Sequence, residues 1–502
     1  MQPLHLPWLT LCIVLPILGA IRVAFTRDPD TARRQTLVAS GLVLICAGAA
    51  WWEFISSLSS GAQDRGDPLM ARLLHPEMLT LDELSAPLLP LAALISFLTN
   101  LATLRTKVRE VSFARSLAAE AILLATLSCK LPWGVAALLA AGTIPPSLEL
   151  RKSHKPRRVY FLHMGLFVVL LGLGQALLAV SRDAPSDATL AIVLLTAAVL
   201  LRSGVVPVHC WLTDLFEHST FGTALLFVTP MVGVYGVARL VLPVAPPWIL
   251  QVISLASIVT AVYAAGMALV QREARRFFAY LFLSQSSLVL VGIETATPIG
   301  LTGALSLWLS VGLALTGFGL TLRCVEFRAG RILLTNFRGL YQHVPMLATL
   351  FLLTGLASIG FPGTVGFVGL ELLVDGAVQA APLTGAIIVI VTALNGLAVM
   401  RAYFRIFGGK PHVTSVDLRV RRAERISVLV LTALILGGGL YPQPGVTSRY
   451  HAAIRLFQAR GREVHQERGQ GAAVEDQRIP SRPPPDRVAA SRGTAGPIPL
   501  FE

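Results

Sequence analysis

Arg202, Gly204, Pro207, His209, Asp214 and Glu217 fall within one short stretch, and the first of them ends a long apolar run. A charge at that depth must line a cavity or pair with something. Arginine stays protonated in proteins. Arg202 is therefore a poor proton carrier, and two roles are open to it. It can be a fixed cation that gates a proton path electrostatically, or it can form an ion pair with Glu217 or Asp214 that holds an interrupted helix. His209 can relay a proton or simply pack and hydrogen-bond. Glu371 and Asp375 stand at i and i+4 and share one helix face. One of them can serve as an exit-side proton group, or the two can be a helix-end carboxylate pair. Glu120, in another apolar run, is a candidate to line a polar axis. Proton translocation needs groups that are charged and neutral in turn, and buried lysine suits this because desolvation lowers its pKa. Yet no lysine occurs between Lys155 and Lys410.

The elements that must position these residues are membrane helices. The chain is 502 residues long, 54% hydrophobic and 14% charged. Apolar runs of membrane-crossing length recur from Leu6 to Leu440, and only helices or closed barrels satisfy their backbone in lipid. Barrel-type alternation is absent, so the expectation is an all-α polytopic membrane protein. About fourteen spans are predicted, at 6–25, 36–56, 84–104, 113–131, 133–149, 159–180, 187–209, 219–241, 247–270, 277–296, 299–321, 345–379, 383–407 and 426–441. Span 7 carries Gly204 and Pro207 near its end, and span 12 carries Gly360, Pro362 and Gly363 in its middle, so both are predicted to break. Paired broken helices point to two inverted five-helix repeats, spans 4–8 and 9–13. Basic loops at 27–34, 105–115, 151–158, 272–276, 323–338 and 401–425 all fall on one side of this count, which puts them in the cytoplasm and both termini outside.

The first apolar run, Leu6–Ala24, lacks a basic start and a small-residue cleavage site and is read as a retained helix. The net charge of +14 follows from the loops, so no nucleic-acid partner is expected. The five cysteines are scattered, without a CxxC or haem motif, and no metal constellation, phosphate-binding loop or nucleophile triad is present. No cofactor is expected in this chain. Three regions are predicted: residues 1–80 as N-terminal helices and a loop, 81–445 as the translocation domain, and 446–502 as a polar, disordered tail. Within that tail an amphipathic stretch at 451–457 could lie on a surface.

Several strings carry a family resemblance. Leu81-Asp-Glu-Leu-Ser-Ala-Pro87 opens span 3. Arg202-Ser-Gly-Val-Val-Pro-Val-His-Cys-Trp-Leu-Thr-Asp214 surrounds the first break. Val270-Gln-Arg-Glu-Ala-Arg-Arg-Phe-Phe-Ala-Tyr280 opens span 10, Ser358-Ile-Gly-Phe-Pro-Gly-Thr364 marks the second break, and Gly439-Leu-Tyr-Pro-Gln-Pro444 closes span 14. In this order, over residues 80–445, they resemble the antiporter-like membrane subunits of respiratory complex I and of the multisubunit cation/proton antiporters. The last string is closest to the chain-M type. The resemblance implies a glutamate in span 5, lysines in spans 7 and 8, a histidine and often a lysine in span 11, and a lysine or glutamate in span 12. Here those positions fall on Ala140 and Arg202; on a span 8 with no lysine or arginine between Asp214 and Arg239; on a span 11 offering only Ser306, Ser310 and Thr316; and on the neighbourhood of Leu370, Glu371 and Asp375. The resemblance also implies a similar carboxylate near Glu120.

The expectation is a multi-pass subunit of a cytoplasmic (inner) membrane. The resemblance implies that it belongs to the membrane arm of an NADH:quinone oxidoreductase-type complex and is involved in or derived from proton translocation; the missing titratable groups point to a degenerate channel with a partly structural role. Its partners are other membrane subunits, the bilayer, and protons or a cation. Two alternatives stay open: the membrane partner in a two-component inorganic-carbon uptake complex, and a subunit of a multisubunit cation/proton antiporter.

Overall fold

Proline and glycine punctuate the apolar runs and decide where helices begin and end. A computed structural model describes residues 6–59, 78–103, 111–152, 156–180, 185–295, 297–410 and 421–476. The helices are α1 (Trp8–Ala24), α2 (Pro29–Ser59), α3 (Leu88–Leu101), α4 (Phe113–Ser128), α5 (Pro132–Ala141), α6 (Ile144–Lys152), α7 (Arg158–Val180), α8 (Pro185–Ser203), α9 (Cys210–His218), α10 (Phe221–Val228) and α11 (Val232–Gly236), the last continued by a π-helical turn at Val237–Val241. They continue as α12 (Pro247–Val270), α13 (Ala274–Glu294), α14 (Pro298–Ala329), α15 (Pro345–Ser358), α16 (Val365–Ala380), α17 (Pro382–Phe407), α18 (Arg422–Leu440) and α19 (Gln443–Asp476). Proline opens α5, α12, α14, α15 and α17. There its missing N–H costs nothing and its fixed φ suits the first turn. Among the described residues there is no strand, only an isolated antiparallel bridge between Glu273 and Leu333.

The chain is an all-α, multi-pass membrane protein. Eight of the described helical stretches are long and apolar enough to cross a membrane, and shorter apolar helices lie between them. The contact pattern divides the chain after Arg460, and everything below concerns the first unit. In it α1 packs on α4, α2 on α3, α12 on α13, and α14 on α15 and α16.

The two predicted breaks use one device. After α8, Gly204 has φ +78°, its N–H donates to Leu201 O at 3.1 Å, and Val205 N–H donates to Leu200 O at 3.1 Å. After α15, Gly360 has φ +76°, its N–H donates to Ala357 O at 3.2 Å, and Phe361 N–H donates to Leu356 O at 3.2 Å. Both are Schellman terminations, with glycine in the left-handed position and a proline following shortly after. Identical endings at spans 7 and 12 are what two copies of one five-helix unit would carry.

Four expectations need correction. Span 8 is also broken: Pro230 removes a donor, Met231 adopts φ +52°, and the chain restarts as α11 and its π-helical turn. Span 5 is likewise two helices, α5 and α6, divided at Gly142-Thr143 ahead of Pro145-Pro146. Arg323 is not in a loop. Apolar neighbours Leu322, Cys324 and Val325 carry α14 on to Ala329, and Arg323 is buried within it. The polar tail begins as a helix rather than a solvated coil. In α19, Ala452 and Ala453 are buried and Arg449 is 1% exposed, with its guanidinium donating to Glu83 O and to Leu84 O at 3.1 Å. A peptide carbonyl pair holds Arg449 in place where composition alone predicted solvent. Residues 477–502 lie outside the described residues.

Candidate functional site

Arg202 occupies the last turn of α8, just before the first break, and is 5% exposed. One guanidinium nitrogen donates to Phe227 O at 3.2 Å. The guanidinium carbon lies 3.9 Å from the Phe227 ring centroid and 5.5 Å from that of Trp211. Arginine stacks on aromatic faces because it is planar and weakly hydrated. Trp211 in turn donates from Nε1 to Leu201 O at 2.9 Å, so it bridges the break and stacks on the cation it flanks. The predicted ion pair is not formed. Asp214 meets His218 Nδ1 at 3.1 Å and Glu217 meets Arg276 at 2.6 Å. Both carboxylates sit on α9, beyond the break, which carries them toward the basic face and away from Arg202.

Arg202 lines a cavity of about 80 Å³ between α3, α4, α6, α8, α10 and α14. At ~10–15 Å³ per water this holds several waters. Arg115, Arg323, Asn100, Glu149 and Thr223 also line it. Glu149 accepts from Thr220 N at 2.7 Å and from Thr223 Oγ1, so its carboxylate sits on the N-terminus of α10. Arg323 is 4% exposed and reaches from α14 to the C-terminal end of α3, donating to Thr99 O at 3.1 Å and Thr103 Oγ1 at 3.0 Å. Gly222 lets it approach, since a Cβ there would stand 3.3 Å from the guanidinium. A second cavity, about 350 Å³, shares Thr220 and Arg323 and opens toward Arg275, Glu326 and Arg331. On the other side of Arg202 a narrow void bounded by Trp211, Met231 and Ser286 leads toward the second repeat. Arg202 therefore stands between the polar cavity and a narrow, largely apolar void, near the point where three helices, spans 7, 8 and 5, are interrupted.

The remaining sequence candidates do not gather there. His209 packs edge-on against Tyr263, with centroids 5.3 Å apart, and against Tyr280 at 5.9 Å, and its Nδ1 has no hydrogen-bond partner. Glu120 is buried in α4 on the side facing Cys12 of α1, and neither carboxylate oxygen has a partner. Glu371 and Asp375 share a face of α16 as their spacing requires, but both are exposed on the outside of the bundle, as are Pro362 and Gly363. The opposite face of α16 is the one pressed into α14. A Cβ at Gly303 would stand 2.3 Å from Leu373 N. In α13, Ser284 donates to Ala261 O at 3.0 Å and accepts from Asn395 Nδ2 at 2.8 Å, so it joins α12, α13 and α17, whereas Ser286 borders the void beside Arg202.

Sequence reasoning missed Glu149, Arg323, Asn100 and Arg115. Glu149 and Arg323 look like loop residues beside other charges. The only sequence signal was the apolar Leu322 and Cys324-Val325 flanking Arg323, which argues for a helix that has not yet ended.

The comparisons with known proteins agree with this architecture. Residues 161–395 match the family described as NADH:quinone oxidoreductase/Mrp antiporter, TM. NADH-quinone oxidoreductase subunit M of Rickettsia prowazekii is 27% identical over 267 residues, 51% of this chain and 54% of that protein, so the chain spans about half the length of this relative. NAD(P)H-quinone oxidoreductase chain 4 1 of Thermosynechococcus vestitus is 28% identical over 508 residues, covering 91% of this chain and 94% of that one. Among solved structures, a chain of respiratory complex I from Thermus thermophilus superposes with a TM-score of 0.78 at 21% identity, over 90% of this chain and 99% of that chain. A chain of the Mrp complex from Dietzia sp. DQ12-45-1b gives 0.76 at 19% identity, over 90% and 97%. The shared fold, and a family match that runs across both broken helices over just under half of the chain, make the chain similar to the antiporter-like membrane subunits of the NADH:quinone oxidoreductase and Mrp antiporter family.

Proposed function

We propose that the chain is an antiporter-like subunit of the membrane arm of an NADH:quinone oxidoreductase-type complex. In it Arg202 acts as a fixed cation beside a water-holding cavity. The observation that carries this reading is the position of Arg202: it ends the first broken helix, where the family resemblance implies a lysine, and it rests on aromatic rings without an ion pair among the described residues. A guanidinium does not release its proton at physiological pH, so protons that pass this point must move through water and polar side chains. The cation's part is to set the local potential. This makes the chain a rewired and partly structural relative of a pump. We place it in the cytoplasmic membrane with the basic loops inside and both termini outside.

The similarity to the Mrp complex chain supports a second reading, a subunit of a multisubunit cation/proton antiporter. Isolation of the tagged chain from native membranes decides between them. Co-isolation of quinone-oxidoreductase subunits is expected. A set of small hydrophobic antiporter subunits would favour the second reading, and a single large soluble partner would favour an inorganic-carbon uptake complex.

A further inference from the structure

The cavity beside Arg202 has more donors than acceptors. Among the described residues, Arg115, Arg202 and Arg323 line it against one carboxylate, Glu149, whose two oxygens are already engaged by Thr220 N and Thr223 Oγ1. Arg202 and Arg323 are at least nine-tenths buried, and neither has an ion pair among the described residues. Arg202 Nε has no hydrogen-bond partner. Asn100 accepts from Ser116 Oγ at 2.9 Å through Oδ1, which leaves its buried Nδ2 without an acceptor. Each guanidinium carries five donors and no acceptor. Water alone would solvate such a site but leave two buried positive charges uncompensated, at a cost of several kcal/mol for each unpaired ion.

We propose that this cavity binds one small monovalent anion, a halide or a planar oxyanion such as nitrate or bicarbonate, between Arg202 and Arg323 with Asn100 as the neutral donor. The size fits, since about 80 Å³ admits such an ion with a few waters and excludes a sugar acid. A route fits as well: the larger cavity that shares Arg323 opens on the basic face past Arg331 and the Arg275–Glu326 pair, so its described lining carries three arginines against one carboxylate and favours anions from solution. Arg202 and Arg323 come from different repeats, so a bound anion would also bridge the two halves of the chain. The site goes beyond the proton-path reading and does not depend on it, because it is a binding equilibrium of the chain itself.

Thermal unfolding of the purified full-length chain at constant ionic strength tests it, with sodium gluconate replaced stepwise by bromide, nitrate or bicarbonate. A saturable rise in melting temperature is expected, since a ligand that binds the folded state stabilises it by mass action. Apparent affinity should fall at least about tenfold in Arg202→Gln and in Asn100→Leu, the scale of a lost charged-group hydrogen bond. A response to nitrate and bicarbonate above bromide would assign the guanidinium fork as the selective element, and equal responses a simple point-charge site. Chlorine-35 line broadening on the wild-type chain, reversed by nitrate and not by gluconate, reads the same site without any variant. Melting temperatures that are the same in gluconate as in the small anions, with no reversible broadening, overturn the proposal. So does a saturable response that survives both substitutions undiminished.

Discussion

A guanidinium at position 202 keeps its charge while a lysine ammonium there could lose it, and the surrounding side chains are built for the first case. Two aromatic faces and one peptide carbonyl hold Arg202. Trp211, 1% exposed, contributes both a stacking face and a hydrogen bond that spans the break. Trp211→Ala should cost about 3–5 kcal/mol through lost packing. Trp211→Phe should keep most of the packing and lose chiefly the hydrogen bond, about 1 kcal/mol. Denaturant midpoints of the two variants would separate these contributions, and equal losses would mean that the ring does not stack as described. That Arg202 sits beside a break was legible in sequence from Gly204 and Pro207. Its partners were not, because Phe227 is 25 residues away and the carboxylates nearest in sequence, Asp214 and Glu217, are carried off on α9 toward Arg276 and His218.

At the scale of elements, α14 is the longest described membrane helix, and it meets α16 through small residues. A Cβ at Gly303 or Gly376 would stand within 2.3 Å of the backbone of the facing helix. Gly303→Val should therefore drive α14 and α16 apart and lower the yield of folded protein, which size-exclusion profiles would report. A wild-type profile would show that the two helices do not approach so closely. Another fixed point is Asp82, bidentate with Arg239 at 2.6 and 2.7 Å, where the π-helical turn ends span 8. Removing one member of such a pair strands the other, so Asp82→Asn should cost about 3–5 kcal/mol. Adding Arg239→Leu should recover part of that loss in a double-mutant cycle. Hydropathy made most element positions legible, and glycine with proline marked the breaks in spans 7 and 12. The break in span 8 stayed hidden because Pro230 is followed by Met231, a residue that seldom adopts φ > 0, rather than by glycine. Glu371 and Asp375 were paired correctly by helical spacing, but the face they share was not legible, because it is set by which side of α16 meets α14.

Across the whole molecule, ion pairs gather at the two ends of the bundle. On the basic face Arg275 meets Glu326 at 2.9 Å and Arg328 meets Glu424, while on the opposite face α19 is secured through Arg449 and through Arg455 with Glu83 at 2.8 Å. Arg449→Ala would leave two buried carbonyls short of donors, and α19 should then yield to protease while the bundle stays intact; a digestion pattern identical to wild type would count against the docking. The proposed role of the chain turns on Arg202 and its cavity. The most direct measurement is proton flux in proteoliposomes holding the native complex, comparing wild type with Arg202→Ala and with Glu371→Gln, after each variant is shown to assemble. Reduced flux for Arg202→Ala, with Glu371→Gln unchanged because its carboxylate faces outward, is the predicted result. Undiminished flux in an assembled Arg202→Ala complex would contradict the account and leave the chain a scaffold.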